Sequence, residues 1–238
     1  MDESQRERIG AATGILFVLA LLAAFVFGPD KPPGFDDTAQ RVSNYVHDNR
    51  DEFQAATALF TIGIFFFLWF LGSLARALRL AEGQGPGRLG AVAFAGGITT
   101  AALAATGQAA QWAASYHTDL DPTLVRGLYD VGSGAFLLVG IGVAVLIGAS
   151  SVVALREGIF PSWLAGYGAA FTVYTLVVTV VGSFKETGAF SPTDGVLGLL
   201  VFLGFLLWVL ATSIVLVRQV DSGGPAPAAP PPPSAAPQ

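Results

Sequence analysis

From Ala55 to Leu78 the chain reads Ala-Ala-Thr-Ala-Leu-Phe-Thr-Ile-Gly-Ile-Phe-Phe-Phe-Leu-Trp-Phe-Leu-Gly-Ser-Leu-Ala-Arg-Ala-Leu, and its first charge is Arg76. About 20 predominantly apolar residues in a helix cross the roughly 30 Å of bilayer hydrocarbon. This stretch is long enough, and five others match it: Ile9–Gly28, Leu89–Ala113, Leu124–Ser150, Phe160–Phe184 and Gly195–Val217. Turn formers punctuate them, among them Pro29, Pro32 and Pro33, Gly85, Pro86 and Gly87, Asp121 and Pro122, Gly158, Ser191 and Pro192. Pro161 falls in the expected first turn of the fifth span, where a missing N–H costs little. The pattern predicts an all-α polytopic membrane protein, a bundle of six transmembrane helices within residues 1–218.

Composition agrees. Of the 238 residues 53% are hydrophobic and 12% charged, and the mean hydropathy is +0.62. Soluble domains carry about 25% charged residues, so this chain has too little polar surface to cover a water-soluble globule. Cysteine is absent, which removes disulfides, thiolate metal sites and thiol nucleophiles. His47 and His117 are the only histidines and neither lies inside an apolar span, so two imidazoles cannot meet around an intramembrane haem. No other cofactor motif is present. With a net charge of −5 and no basic stripe, nucleic acid is not an expected partner.

The first span also admits a signal-peptide reading, with Arg6 and Arg8 before it. Its apolar run is long for that, and no Ala-x-Ala site follows it, so a retained span is expected. Orientation comes from the basic residues. The termini and the second and fourth connections carry Arg6, Arg8, Arg76, Arg79, Arg88, Arg156 and Arg218. The opposite side carries Lys31, Arg41, Arg50, Arg126 and Lys185 among many acids, including Asp36, Asp37, Asp48, Glu52 and Asp194. The positive-inside tendency then puts both termini in the cytoplasm of a multi-pass cell-membrane protein.

The spans differ in texture. The second, bulky all round, reads as a lipid-facing flank. The third repeats small residues at Gly97, Ala101, Ala105, Ala109 and Ala113, and the fourth at Gly140, Ala144 and Gly148. Such stripes let helix backbones approach, so these two spans are expected at the bundle centre. In the first outer loop, Val42, Tyr45, Val46 and Phe53 recur at helical spacing, with Asp36 or Asp37 as a cap. A short amphipathic helix on the outer membrane surface is expected there. Residues 219–238, with Pro230 to Pro233 consecutive, read as a disordered Pro/Ala-rich cytoplasmic tail able to recruit a partner.

Chemistry concentrates at the outer ends of the third and fourth spans. Asp130 lies early in the fourth, with Arg126 one turn before it. Gln108 and Gln111 end the third on one face, and Tyr116, His117 and Tyr129 are near in sequence. These residues predict an outward-open polar pocket for a small hydrophobic or amphiphilic ligand; the simpler reading of Arg126 and Asp130 is an interfacial ion pair. His47 and Asp51 stand at i, i+4 and form a weak metal pair that His117, Asp119 and Asp121 would have to complete; a solvated acidic surface explains them as well. Thr99, Thr100, Thr106, Thr172, Thr175 and Thr179 are scattered hydroxyls of the kind that bond their own helix. No catalytic constellation is visible, so a non-enzymatic protein is expected, its partners being the lipid bilayer and such a ligand.

The segment Gln40-Arg41-Val42-x-x-Tyr45-x-x-x-x-Arg50, followed by an apolar helix ending Phe67-Leu68-Trp69-Phe70-Leu71-Gly72-x-Leu74-x-x-x-Leu78-Arg79 and then Glu82-Gly83, resembles a group of uncharacterised six-helix integral membrane proteins of high-GC bacteria. The resemblance is clearest over the first three spans. It implies six helices and carries no activity.

Overall fold

The structure, a computed structural model, describes residues 3–83, 87–117, 119–193 and 195–221. The Pro-rich tail expected to recruit a partner lies outside the described residues except for its first three, which continue the last helix. Seven helices and no strand occur among the described residues: α1 (Glu3–Phe27), α2 (Ala39–Asp48), α3 (Arg50–Ala81), α4 (Arg88–Tyr116), α5 (Pro122–Glu157), α6 (Ser162–Gly182) and α7 (Val196–Asp221). All but α2 are long and apolar enough to cross a membrane. Most run a few residues past their apolar stretch because polar interfacial residues sustain a helix too. α6 is the shorter exception: Pro161 caps it from just outside instead of opening its first turn.

The six long helices form a ring in the order α1, α3, α4, α5, α6, α7 and back to α1. Ring neighbours are antiparallel: Gly10 meets Ser73 while Gly28 meets Ala56 on α1 and α3, and Gly140 meets Thr179 while Gly148 meets Thr172 on α5 and α6. α1 belongs to the main core through Phe17, Val18 and Leu21. The Tyr167 and Tyr174 hydroxyls donate to the Gly204 and Leu197 carbonyls at 2.9 and 3.0 Å, fastening α6 to α7.

The tightest seam joins α4 and α5. A β-carbon placed on Gly96 would stand 2.6 Å from the Leu146 amide nitrogen, and one on Gly107 2.9 Å from the Gly132 carbonyl oxygen. The two backbones therefore touch at two levels, about 16 Å apart along α4 at 1.5 Å per residue. The seam is not the expected stripe. A step of four residues turns a helix by about 400°, so a strict four-residue repeat drifts some 40° per step. Gly97 and Ala101 are buried, whereas Ala105 and Ala109 are exposed. Gly140 and Gly148 of α5 face Thr179 and Thr172 of α6, not α4. α5 is the most buried span at 56% of its apolar stretch, whereas α4, at 39%, equals α6 and α7 and exceeds only α3, at 33%.

α3, expected to face lipid all round, is two-sided. Phe65, Leu68 and Trp69 are exposed, while Phe67, Phe70, Leu71 and Leu74 are buried. α2 does form, capped by the Thr38 hydroxyl and not by Asp36 or Asp37. Its apolar residues Val42 and Val46 pack with Phe53, Ala114, Val125 and Tyr129, so this face is turned onto the bundle end.

Candidate functional site

Tyr129, Ser133 and Phe136 recur along α5 at spacings of four and three, which put them on one helix face. Gln108 and Gln111 share a face of α4, and the Gly107–Gly132 contact brings the two faces together. Phe53 and Ala56 from α3, Ala24 and Phe25 from α1 and Gly28 just past its end complete the wall, and Asp30, Lys31, Tyr45, Pro192 and Thr193 form the rim. They line an open cleft of about 370 Å³ at the end of the ring opposite the start of α1 and the end of α7. Farther along the axis Phe17, Phe67 and Phe205 of α1, α3 and α7 meet with centroids 4.7, 5.9 and 5.8 Å apart within the main buried core.

The lining divides by chemistry. Ala24, Phe25, Ala56 and Phe136 are apolar. Gln108 Nε2 donates to Thr57 Oγ1 at 2.6 Å, and Thr57 in turn donates to the Phe53 carbonyl at 2.7 Å. That fixes the Gln108 amide and leaves its Oε1 without a partner among the described residues. The Gln111 amide and the Tyr45 and Tyr129 hydroxyls also have no protein partner there. Tyr129 is only 4% exposed, and a buried donor of this kind ordinarily meets water or a ligand. The three rings Tyr45, Phe53 and Tyr129 stand edge to face, at 6.0 and 6.4 Å from Tyr45. Burial, then the negative charges of Asp30 and Glu52, push the Tyr45 phenol up to about 12.

Of the expected pocket residues Gln108, Gln111 and Tyr129 line the cavity, while Tyr116 packs its ring on Trp112 at 4.9 Å. Arg126, Asp130 and His117 do not line it either. Arg126 donates through Nη2 to the Phe35 carbonyl at 2.8 Å and pairs with Asp130 at 3.6 Å. Both lie outside the cavity lining, held by each other and by the loop before α2. Their visible role is to tie the loop before α2 to α5. His117 contributes its backbone: its carbonyl lies 3.1 Å from His47 Nε2, which joins α2 to the loop between α4 and α5. His47 Nδ1 is 3.4 Å from Ser43 Oγ, so the ring of the expected metal pair is engaged on both nitrogens. Asp51 is exposed, and among the described residues no group of three His, Cys, Asp or Glu is placed to hold a metal. Thr99, Thr100, Thr106 and Thr172 bond their own helix, while Thr175 is buried without a partner.

Tyr45, Ser133, Phe136 and the α1 residues were not picked out from the sequence. A tyrosine on the apolar face of a loop helix was the available signal for Tyr45. Comparison with family models, curated proteins and solved structures finds no match.

Proposed function

We propose that this chain is a six-span protein of the cell membrane, with both termini cytoplasmic, that binds a small hydrophobic or amphiphilic molecule in its outer vestibule and is not an enzyme. The observation that carries the reading is the vestibule: a cavity of about 370 Å³, within the usual range for small-molecule sites, with apolar walls and uncommitted phenol and amide groups. The packed core farther along the axis, to which Phe17, Phe67 and Phe205 belong, favours a binding pocket over an open channel. Six spans put both termini on one side, and the seven arginines there against five basic residues opposite support that side as cytoplasmic. In this orientation α2 lies at the outer surface, over the mouth of the pocket.

The test is a thermal-shift screen in nanodiscs against lipids, quinones and short amphiphiles. A binder present at 100 times its Kd adds about 2.7 kcal/mol of stability. At about 2–4 °C per kcal/mol for a chain of this size, that is a rise of roughly 5–10 °C. Ala56→Leu, which fills the cavity wall, should abolish the rise. No rise with any compound, or an equal rise in Ala56→Leu, would sink the proposal.

A further inference from the structure

Taking the vestibule as the binding site, we infer that its ligand carries an uncharged head group bearing hydroxyl or carbonyl oxygen on a hydrocarbon chain. The inference rests on that reading and adds the chemistry of the head. A charged head taken out of water needs a buried counter-charge, and among the described residues the lining offers none. Its charged lining residues, Asp30 and Lys31, are adjacent, opposite in sign and exposed at the rim. Asp130 and Arg126, the nearest charges on α5, pair with each other outside the lining.

What the buried wall offers is neutral and two-sided in hydrogen bonding. The Tyr45 and Tyr129 hydroxyls and the Gln111 amide N–H groups can donate to carbonyl oxygen. The Gln111 and Gln108 Oε1 atoms can accept from a hydroxyl, and Gln108 presents its oxygen because its nitrogen is held by Thr57. Tyr129, a buried residue whose hydroxyl has no protein partner, lies in the lining beside Gln111 and is free to bond an occupant. Phe25, Ala56 and Phe136 supply the apolar surface for the start of a chain.

The experiment compares three ten-carbon probes in phosphatidylcholine nanodiscs: monodecanoylglycerol, decyltrimethylammonium and decyl phosphate. Monodecanoylglycerol should raise Tm in the parent chain, and Gln111→Leu should weaken its apparent affinity about tenfold, as expected for one lost hydrogen bond. Tyr129→Phe should weaken it similarly while leaving the probe-free Tm unchanged or higher, because the hydroxyl removed has no protein partner. A Tm rise with the cationic or the anionic probe alone, abolished by Ala56→Leu, would overturn the uncharged head and keep the amphiphile site. No rise with any probe, or the same rise in every variant, would overturn both.

Discussion

Gly142→Ala gives a sharp test of the α4–α5 seam because the same substitution at Gly134, on the same helix, should act in the opposite direction. A β-carbon on Gly142 would stand 2.6 Å from Thr100 Oγ1, 2.7 Å from the Thr100 amide nitrogen and 2.9 Å from the Gly96 carbonyl oxygen. Two of these three are backbone atoms and cannot rotate aside. Restoring ordinary contact requires the helices to part by roughly 0.7 Å, and gaps of 0.5–1 Å forfeit about a quarter to a half of each dispersion contact. Overpacking of this kind costs about 1–3 kcal/mol. At Gly134 a β-carbon meets nothing within 4 Å, so alanine there gains about 0.5–1 kcal/mol from reduced backbone freedom. The two variants should therefore differ by roughly 1.5–4 kcal/mol. Reversible unfolding in bicelles would measure it, with Gly142→Ala below the parent and Gly134→Ala at or above it. A Gly142→Ala protein as stable as the parent would refute the close backbone contact.

Three more outcomes follow from the same geometry. Arg126→Gln releases the Phe35 carbonyl and should cost about 1 kcal/mol; faster chymotryptic cleavage after Phe35 would report the loosened loop, and unchanged cleavage would count against the tether. A double-mutant cycle on Thr57→Val and Gln108→Leu should give a coupling of about 0.5–1 kcal/mol, the size typical of one hydrogen bond between membrane helices; zero coupling would remove the bond from the account. Tyr45 has a raised folded pKa, so between about 10 and 12 the unfolded chain releases its phenol proton while the folded chain keeps it. Stability should fall as pH rises through that window, and Tyr45→Phe should flatten the fall in alkaline unfolding curves.

The six helices were legible because hydropathy over 20 residues is a strong one-dimensional signal, and Ala55 to Leu78 alone nearly decides it. Which face of each helix points inward was not. The four-residue stripe from Gly97 to Ala113 drifts off the seam by simple helix geometry, and Gly140 and Gly148 turned out to serve α6. Gln108, Gln111 and Tyr129 could be found because polar side chains at the end of an apolar span are unusual. Asp130 and Arg126 drew notice for their charge, but they bind each other and the Phe35 carbonyl outside the lining. Tyr45 depends on α2 folding back onto α5, a tertiary event that no local pattern announces.

The measurement that bears most directly on the vestibule and its side of the membrane uses the absence of cysteine from the chain. A single Ala56→Cys on the cavity wall and a single Glu157→Cys at the exposed opposite end would be treated in intact cells with a membrane-impermeant maleimide. The arrangement predicts that the Ala56 position labels from outside, that monodecanoylglycerol slows this labelling, and that the Glu157 position labels only after the membrane is opened. Labelling of Glu157→Cys in intact cells, or an Ala56→Cys thiol unreactive from both sides, would contradict it.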